Sequence, residues 1–188
     1  MKKIIVGISG ASGVRLGAEL LAAYKEIPDV ETHLVISDNA LVTMKQETGM
    51  DPDEVRALAD RNYDLYDMAA DISSGSFRTD GMVIIPCSMK TLAGVANGFS
   101  ENLLLRAADV TIKECRKLVV VPREAPLSRI HLRNLLTLTE CGAVVIPPVM
   151  TFYSGQETAS EMTDFLIGKI SDQFGIDYKG YKRWGKER

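Results

Sequence analysis

The chain has 188 residues, a net charge of −3, 46% hydrophobic and 25% charged residues, and a mean hydropathy near zero. That length suits one domain with a sizeable core, and the slightly acidic balance gives no general attraction to nucleic acid. No apolar run approaches membrane-spanning length. The N-terminus, Met1-Lys2-Lys3-Ile4-Ile5-Val6, is too short for a signal peptide and runs straight into a strand pattern. The three cysteines, Cys87, Cys115 and Cys141, form no Cys-x-x-Cys pair, so reduced thiols and a cytoplasmic location are expected. With His33 and His131 as the only histidines, a three-histidine zinc site is excluded.

Lys3 to Ile8 reads as an apolar strand. Gly7-Ile8-Ser9-Gly10-Ala11-Ser12-Gly13 follows, then an amphipathic helix through about Lys25. Strand, glycine-rich turn and helix is the arrangement that holds phosphate on a helix N-terminus. The spacing is G-x-x-G-x-x-G, not that of dinucleotide folds, and no Walker lysine follows; a tight turn needing glycine for its backbone explains it equally. Thr32 to Ile36 is the second strand. Asp38 after it suits the cap of a helix to about Glu47 better than a ribose contact. Glu47 stands at the unfavourable, C-terminal end of that helix, beside the stop signal Thr48-Gly49. A surface glutamate is the ordinary explanation, but the position also fits a functional role.

Asp51-Pro52 starts a helix to about Ala59. In Asp60 to Arg78 a short strand is expected around Ala69 to Ile72, with Ser73-Ser74-Gly75-Ser76 as a mobile loop bordering the site. Met82-Val83-Ile84-Ile85 is a continuous apolar run, the mark of a strand buried on both faces, and Pro86 is expected to end it. Ser88, Met89, Lys90 and Thr91 then lead into a helix. Ser88 suits a cap, but a cap explains one hydroxyl and not Ser-x-Lys-Thr together, so an anion site is favoured here.

From Glu101 to Cys115 the apolar residues recur at helical spacing, and Arg106 and Lys113, two turns apart, share a face. Lys117 to Val121 is a buried strand ending at Pro122-Arg123-Glu124. Ser128 caps a helix to about Glu140, with His131 as a packing or capping residue in its first turn. Ala143 to Ile146 is the last strand; Phe152-Tyr153 lies in a loop, a helix covers about Ala159 to Phe174, and a tail starts at about 176. Strands alternating with helices predict one α/β domain over 1–188, a doubly wound, three-layer Rossmann-like fold with a mostly parallel sheet. The polar loops at Gly10–Gly13, Ser37, Ser88–Thr91 and Arg123-Glu124 then gather on one edge.

The segments GISGASG (Gly7–Gly13), FRTDGMVIIPCSMKTLAG (Phe77–Gly94), NLLLRAADVTIKE (Asn102–Glu114) and VVVPREAPLSRIHL (Val119–Leu132), with Phe152-Tyr153, resemble the UbiX-type flavin prenyltransferase family over essentially the whole chain. Within that family the sequence looks most like the B-component proteins associated with hydroxyarylic (phenolic) acid decarboxylases. The resemblance implies a flavoprotein fold and transfer of a dimethylallyl group from dimethylallyl phosphate to reduced FMN, without a metal. The product, prenylated FMN, would serve a UbiD-type aromatic acid decarboxylase. The family also implies a large homo-oligomer, a dodecamer, with sites at contacts between its copies. By the same resemblance Gly10, Ala11, Ser12, Ser37, Ser88, Met89, Lys90, Thr91 and Arg123 match FMN-contacting positions. Tyr153 and Lys169 match prenyl-phosphate contacts, while Glu47, Arg106, Lys113 and Glu124 match other polar active-site positions and Trp184 the C-terminal aromatic. Ser12, Glu47 and Glu124 are thereby the catalytic candidates, and Arg106, Lys113, Tyr153, Lys169 and Trp184 the substrate-binding ones. Two positions depart from the family pattern: Lys169 replaces a common arginine, turning a bidentate fork into a point charge, and Met150 stands where a proline is expected.

The residue types suit the chemistry. An allyl phosphate loses its phosphate before or as the flavin attacks, and Lys113, Arg123, Tyr153 and Lys169 supply donors for that charge. Trp184 offers a π face to an allylic cation, Ser12 positions the flavin edge, and Glu47 or Glu124 relays protons. Two alternatives stand beside this. One is a non-catalytic FMN-binding component or carrier of a decarboxylase complex. The other is a flavin-dependent cysteine decarboxylase, which relies on a catalytic histidine and a Pro-x-Met-Asn stretch; here His33 falls inside a strand and Pro148-Val149-Met150-Thr151 lacks the asparagine.

Overall fold

A computed structural model describes residues 1–153, 155–183 and 185. Six strands form one sheet: β1 (Lys2–Ile8), β2 (Val30–Ile36), β3 (Arg61–Tyr63), β4 (Gly81–Cys87), β5 (Lys117–Pro122) and β6 (Val144–Val145). All pairings are parallel, in the order β3-β2-β1-β4-β5-β6. Among the described residues, seven α-helices accompany the sheet: α1 (Val14–Lys25), α2 (Asp38–Glu47), α3 (Pro52–Arg56), α4 (Met89–Ala96), α5 (Leu103–Lys113), α6 (Arg129–Glu140) and α7 (Ala159–Phe174).

The apolar strands build two cores because successive side chains leave opposite faces of the sheet. Ile4, Val6, Ile8, Val83, Ile85, Val119 and Val121 face α1, α2 and α7. Ile5, Met82, Ile84, Leu118 and Val120 face α4 and α5. The result is the expected three-layer sandwich. The winding reverses between β1 and β4, and in such sheets that is where a crevice opens at the carboxyl ends of the strands. Among the described residues no helix is long and apolar enough to cross a membrane.

Several local expectations are corrected. Ser37, not Asp38, caps α2 by accepting from the Ala40 amide, while Asp38 is the first helical residue. α3 stops at Arg56. The third strand is Arg61–Tyr63, and Asp71–Ser73 is a single 3-10 turn. Pro86 lies inside β4, where the β4–β5 register shifts between Ile84 and Cys87; a proline fits a ladder only at such an irregularity or an edge. The segment 73–77 is tied down by guanidinium groups: Arg106 Nε donates to Ser73 O at 3.1 Å, and Arg116 donates to Gly75 O at 2.6 Å and Phe77 O at 2.9 Å. The tail also folds back onto α7. Ile176 is buried, Tyr178 donates to Asp164 at 2.6 Å, and Arg183 grips Asp172 with two nitrogens at 2.6 and 3.0 Å.

Candidate active site

The ends of β1 and β4 are joined by Ser9, a fully buried hydroxyl that donates to Pro86 O and accepts from Ser88 N, both at 2.8 Å. Nothing in the sequence distinguishes Ser9 from its neighbours in a glycine-rich turn, yet it locks the two loops at the switch point together. A cleft opens there, lined by Gly10, Ser37, Ser88, Lys90 and Thr91, by the acids Asp38 and Glu101, and by Leu65, Tyr66 and Asn102. Gly10 must be glycine, since a Cβ would sit 2.4 Å from the Asn39 Cβ.

The donors of this cleft come from helix starts. Ser88 caps α4, accepting from the Thr91 amide and donating to Thr91 Oγ1 at 3.1 Å. The first-turn amides of Met89 and Lys90 have no partner within the helix, and neither do those of Asp38 and Asn39 at the start of α2. Such amides with the helix dipole behind them form an anion site. Ser88 is therefore both a cap and a wall of the cleft. The Met89 side chain packs against the core beneath α4, so only its backbone faces this role. Ala11 is buried, its amide bonded to Ser9 O at 2.9 Å. The Lys90 ammonium lies at the rim, 3.7 Å from Glu101.

The start of α1 is different, and it gives Glu47 its place. Gly13, with φ of 94°, caps α1 without a side-chain bond. Its amide donates instead to Glu47 Oε2 at 2.8 Å, and the Val14 amide and Ser12 hydroxyl donate to the same carboxylate. Partial burial pushes the Glu47 carboxyl up, but these donors and the nearby Arg123 charge outweigh it and hold the group below the usual carboxylate range. The N-terminus after the glycine turn is thus already filled by a protein anion, which leaves α2 and α4 as the free anion sites. Ser12, Arg123 and Gly13 line a second cleft with Arg15, Pro148 and Thr163 of α7.

Phe165 of α7 is the shared neighbour of Tyr153 and of Lys169, which lies one helical turn on, exposed. Tyr153 packs edge-on against Phe165 with centroids 5.9 Å apart. Arg106 and Lys113 are not brought to either cleft within one chain. Arg106 pairs with Asp109 at 2.8 Å and Ser73, and Lys113 pairs with Glu114. Ten rises of ~1.5 Å put Lys113 about 15 Å along α5 from Leu103. Any role for these two at the clefts needs a neighbouring copy. Glu124 is exposed, its carboxylate accepting from the Ala125 amide at 3.0 Å. Trp184 lies outside the described residues. Neither histidine is placed for catalysis: His33 is 1% exposed within β2, with Nδ1 2.9 Å from the Tyr63 hydroxyl, and His131 closes the capping box of α6 with Ser128.

The model of the Flavoprotein family matches residues 1–172. The chain is 50% identical over 182 residues to a probable UbiX-like flavin prenyltransferase of Sedimentibacter hydroxybenzoicus, covering 97% of this chain and 96% of the relative. A dodecameric FMN-dependent UbiX-like decarboxylase from Escherichia coli O157:H7 superposes with a TM-score of 0.94 at 51% identity, covering 97% of this chain and 98% of that one. AnUbiX (PadA1), solved in complex with FMN and dimethylallyl pyrophosphate, superposes with a TM-score of 0.96 at 48% identity over 100% of this chain and 99% of that one. Near-complete coverage at that identity, on a sheet that opens its crevice at the same loops as the matched motifs, makes the chain a member of the UbiX-like flavin prenyltransferase family.

Proposed function

We propose that the protein transfers a dimethylallyl group from dimethylallyl phosphate to reduced FMN. The observation that carries this is a free anion cradle at the starts of α2 and α4, together with a second cleft lined by Ser12 and Arg123, where the Ser12 hydroxyl donates to Glu47. FMN fits the donor set: the cradle offers backbone amides, the Ser37, Ser88 and Thr91 hydroxyls and the Lys90 ammonium, and Gly10 lets the first loop pack directly against Asn39 of α2. When bound, reduced FMN supplies the electron-rich ring that accepts the prenyl group. Ser12, whose hydroxyl donates a hydrogen bond to Glu47, presents its lone pairs to orient a neighbouring donor. Glu47 is ionised at neutral pH and acts as a proton acceptor or charge partner, not as an acid. Arg123, Tyr153 and Lys169 are the donors for the leaving phosphate. Glu124 is the second carboxylate at this edge, and Arg106 and Lys113 serve the site of an adjacent copy in a homo-oligomer. The product passes to a UbiD-type decarboxylase.

The test is direct. Purified protein is incubated anaerobically with reduced FMN and dimethylallyl phosphate, and the released flavin is analysed by mass spectrometry. A flavin heavier by one five-carbon unit, able to restore activity to a cofactor-free UbiD-type decarboxylase, is expected. Bound but unchanged FMN would leave the carrier role instead.

A further inference from the structure

Tyr66 carries no motif, yet it stands at the mouth of the cleft with 63% of its surface exposed. Its amide donates to Asp64 Oδ1 at 2.8 Å, which fixes the turn after β3, and its hydroxyl donates to Asp38 Oδ2. Asp38 is the first residue of α2, and its neighbour Ser37 satisfies only the Ala40 amide. A carboxylate at that position is drawn to the helix start by the dipole, and aspartate side chains readily bond amides of their own turn. Free to rotate, the Asp38 carboxylate would take the very donors that make the cradle and would repel a second anion there. The other acid at the rim, Glu101, is likewise engaged, by Lys90 at 3.7 Å.

We infer that Tyr66 is a positioning residue of the phosphate cleft: its hydroxyl holds the Asp38 carboxylate off the α2 amides and so leaves them to the flavin phosphate. The inference rests on the proposal that this cleft takes the phosphate of FMN. The phenol is suited to the task because its hydrogen bond to Asp38 and the charge of that carboxylate push its pKa above the ordinary tyrosine value. It therefore remains a donor at neutral and mildly alkaline pH.

Fluorescence titrations of the purified protein with FMN and with riboflavin, which lacks the phosphate, test this on Tyr66→Phe, Asp38→Asn and the double variant. Tyr66→Phe should bind FMN about fivefold more weakly, the order of one unit charge acting at ~4 Å in water, with riboflavin affinity unchanged. Asp38→Asn should bind FMN at least as tightly as the native protein, and the double variant should match Asp38→Asn. The inference is overturned if Tyr66→Phe binds FMN normally or loses riboflavin equally. It is also overturned if Asp38→Asn weakens FMN, which would make Asp38 itself a ligand. A native protein that binds FMN no better than riboflavin would overturn the phosphate cleft itself, a failure visible before any variant is made.

Discussion

Replacing Glu47 by alanine is expected to loosen the start of α1. Gly13 gives that helix no side-chain cap, and Glu47 stands in for one by accepting from Gly13 at 2.8 Å and from Ser12 and Val14. Loss of an N-terminal cap costs ~1 kcal/mol in most hosts. Glu47 is exposed, so solvent screening keeps the charge component small, and ~1 kcal/mol is the upper expectation here. In a chain of this size that lowers Tm by about 2–4 °C. The native carboxyl is held below its unfolded value, so its stabilisation is complete above about pH 4.3 and is lost as pH falls through the lower native value. Calorimetric melts at pH 7 and pH 3 read both effects: the gap between native protein and Glu47→Ala should be open at pH 7 and narrow at pH 3. Glu47→Gln keeps one acceptor without the charge and should fall between. Equal Tm values at pH 7, or a gap that does not narrow in acid, would refute the capping argument. If Glu47→Gln retains most of the stability but loses prenyl transfer, the carboxylate acts in the reaction as well as in the fold.

Two further outcomes are expected. Lys169→Ala should weaken apparent binding of dimethylallyl phosphate by roughly 1.5 kcal/mol, the low end for a charge-assisted hydrogen bond at an exposed group, while FMN affinity holds and Lys169→Arg stays active; steady-state kinetics showing an unaltered donor KM in the alanine variant would return Lys169 to solvent. Burial pushes the His33 imidazole down, against the raising effect of Glu31, so the unfolded chain takes up a proton first as pH falls below about 6.5. Native stability should therefore decline below that pH by up to ~1.4 kcal/mol per unit, and urea unfolding of His33→Gln should lack that part of the slope; parallel pH profiles would show that His33 is not the source.

The buried strands, their order of appearance and the caps at Ser88 and Ser128 were legible in the sequence, because each depends on neighbours in the chain: unbroken β-branched runs, a serine before a helical pattern, a proline at a strand end. β3 was not legible. Arg61-Asn62-Tyr63 is polar and short, and it is a strand only because His33, Leu34 and Val35 offer it a ladder at the sheet edge. The helical spacing put Arg106 and Lys113 on one face of α5, but spacing does not say what a face meets; contacts with segment 73–76 turn that face away from the clefts. Glu47 looked like a misplaced acid at a helix end because the positive dipole it satisfies belongs to α1, 34 residues earlier in the chain. The same holds for Tyr66, whose partner Asp38 is 28 residues away. Short-range pattern fixes which segments fold and which loops share an edge, whereas the pairing of a charge with its partner is a distance in space, set only when the sheet brings the strand ends together.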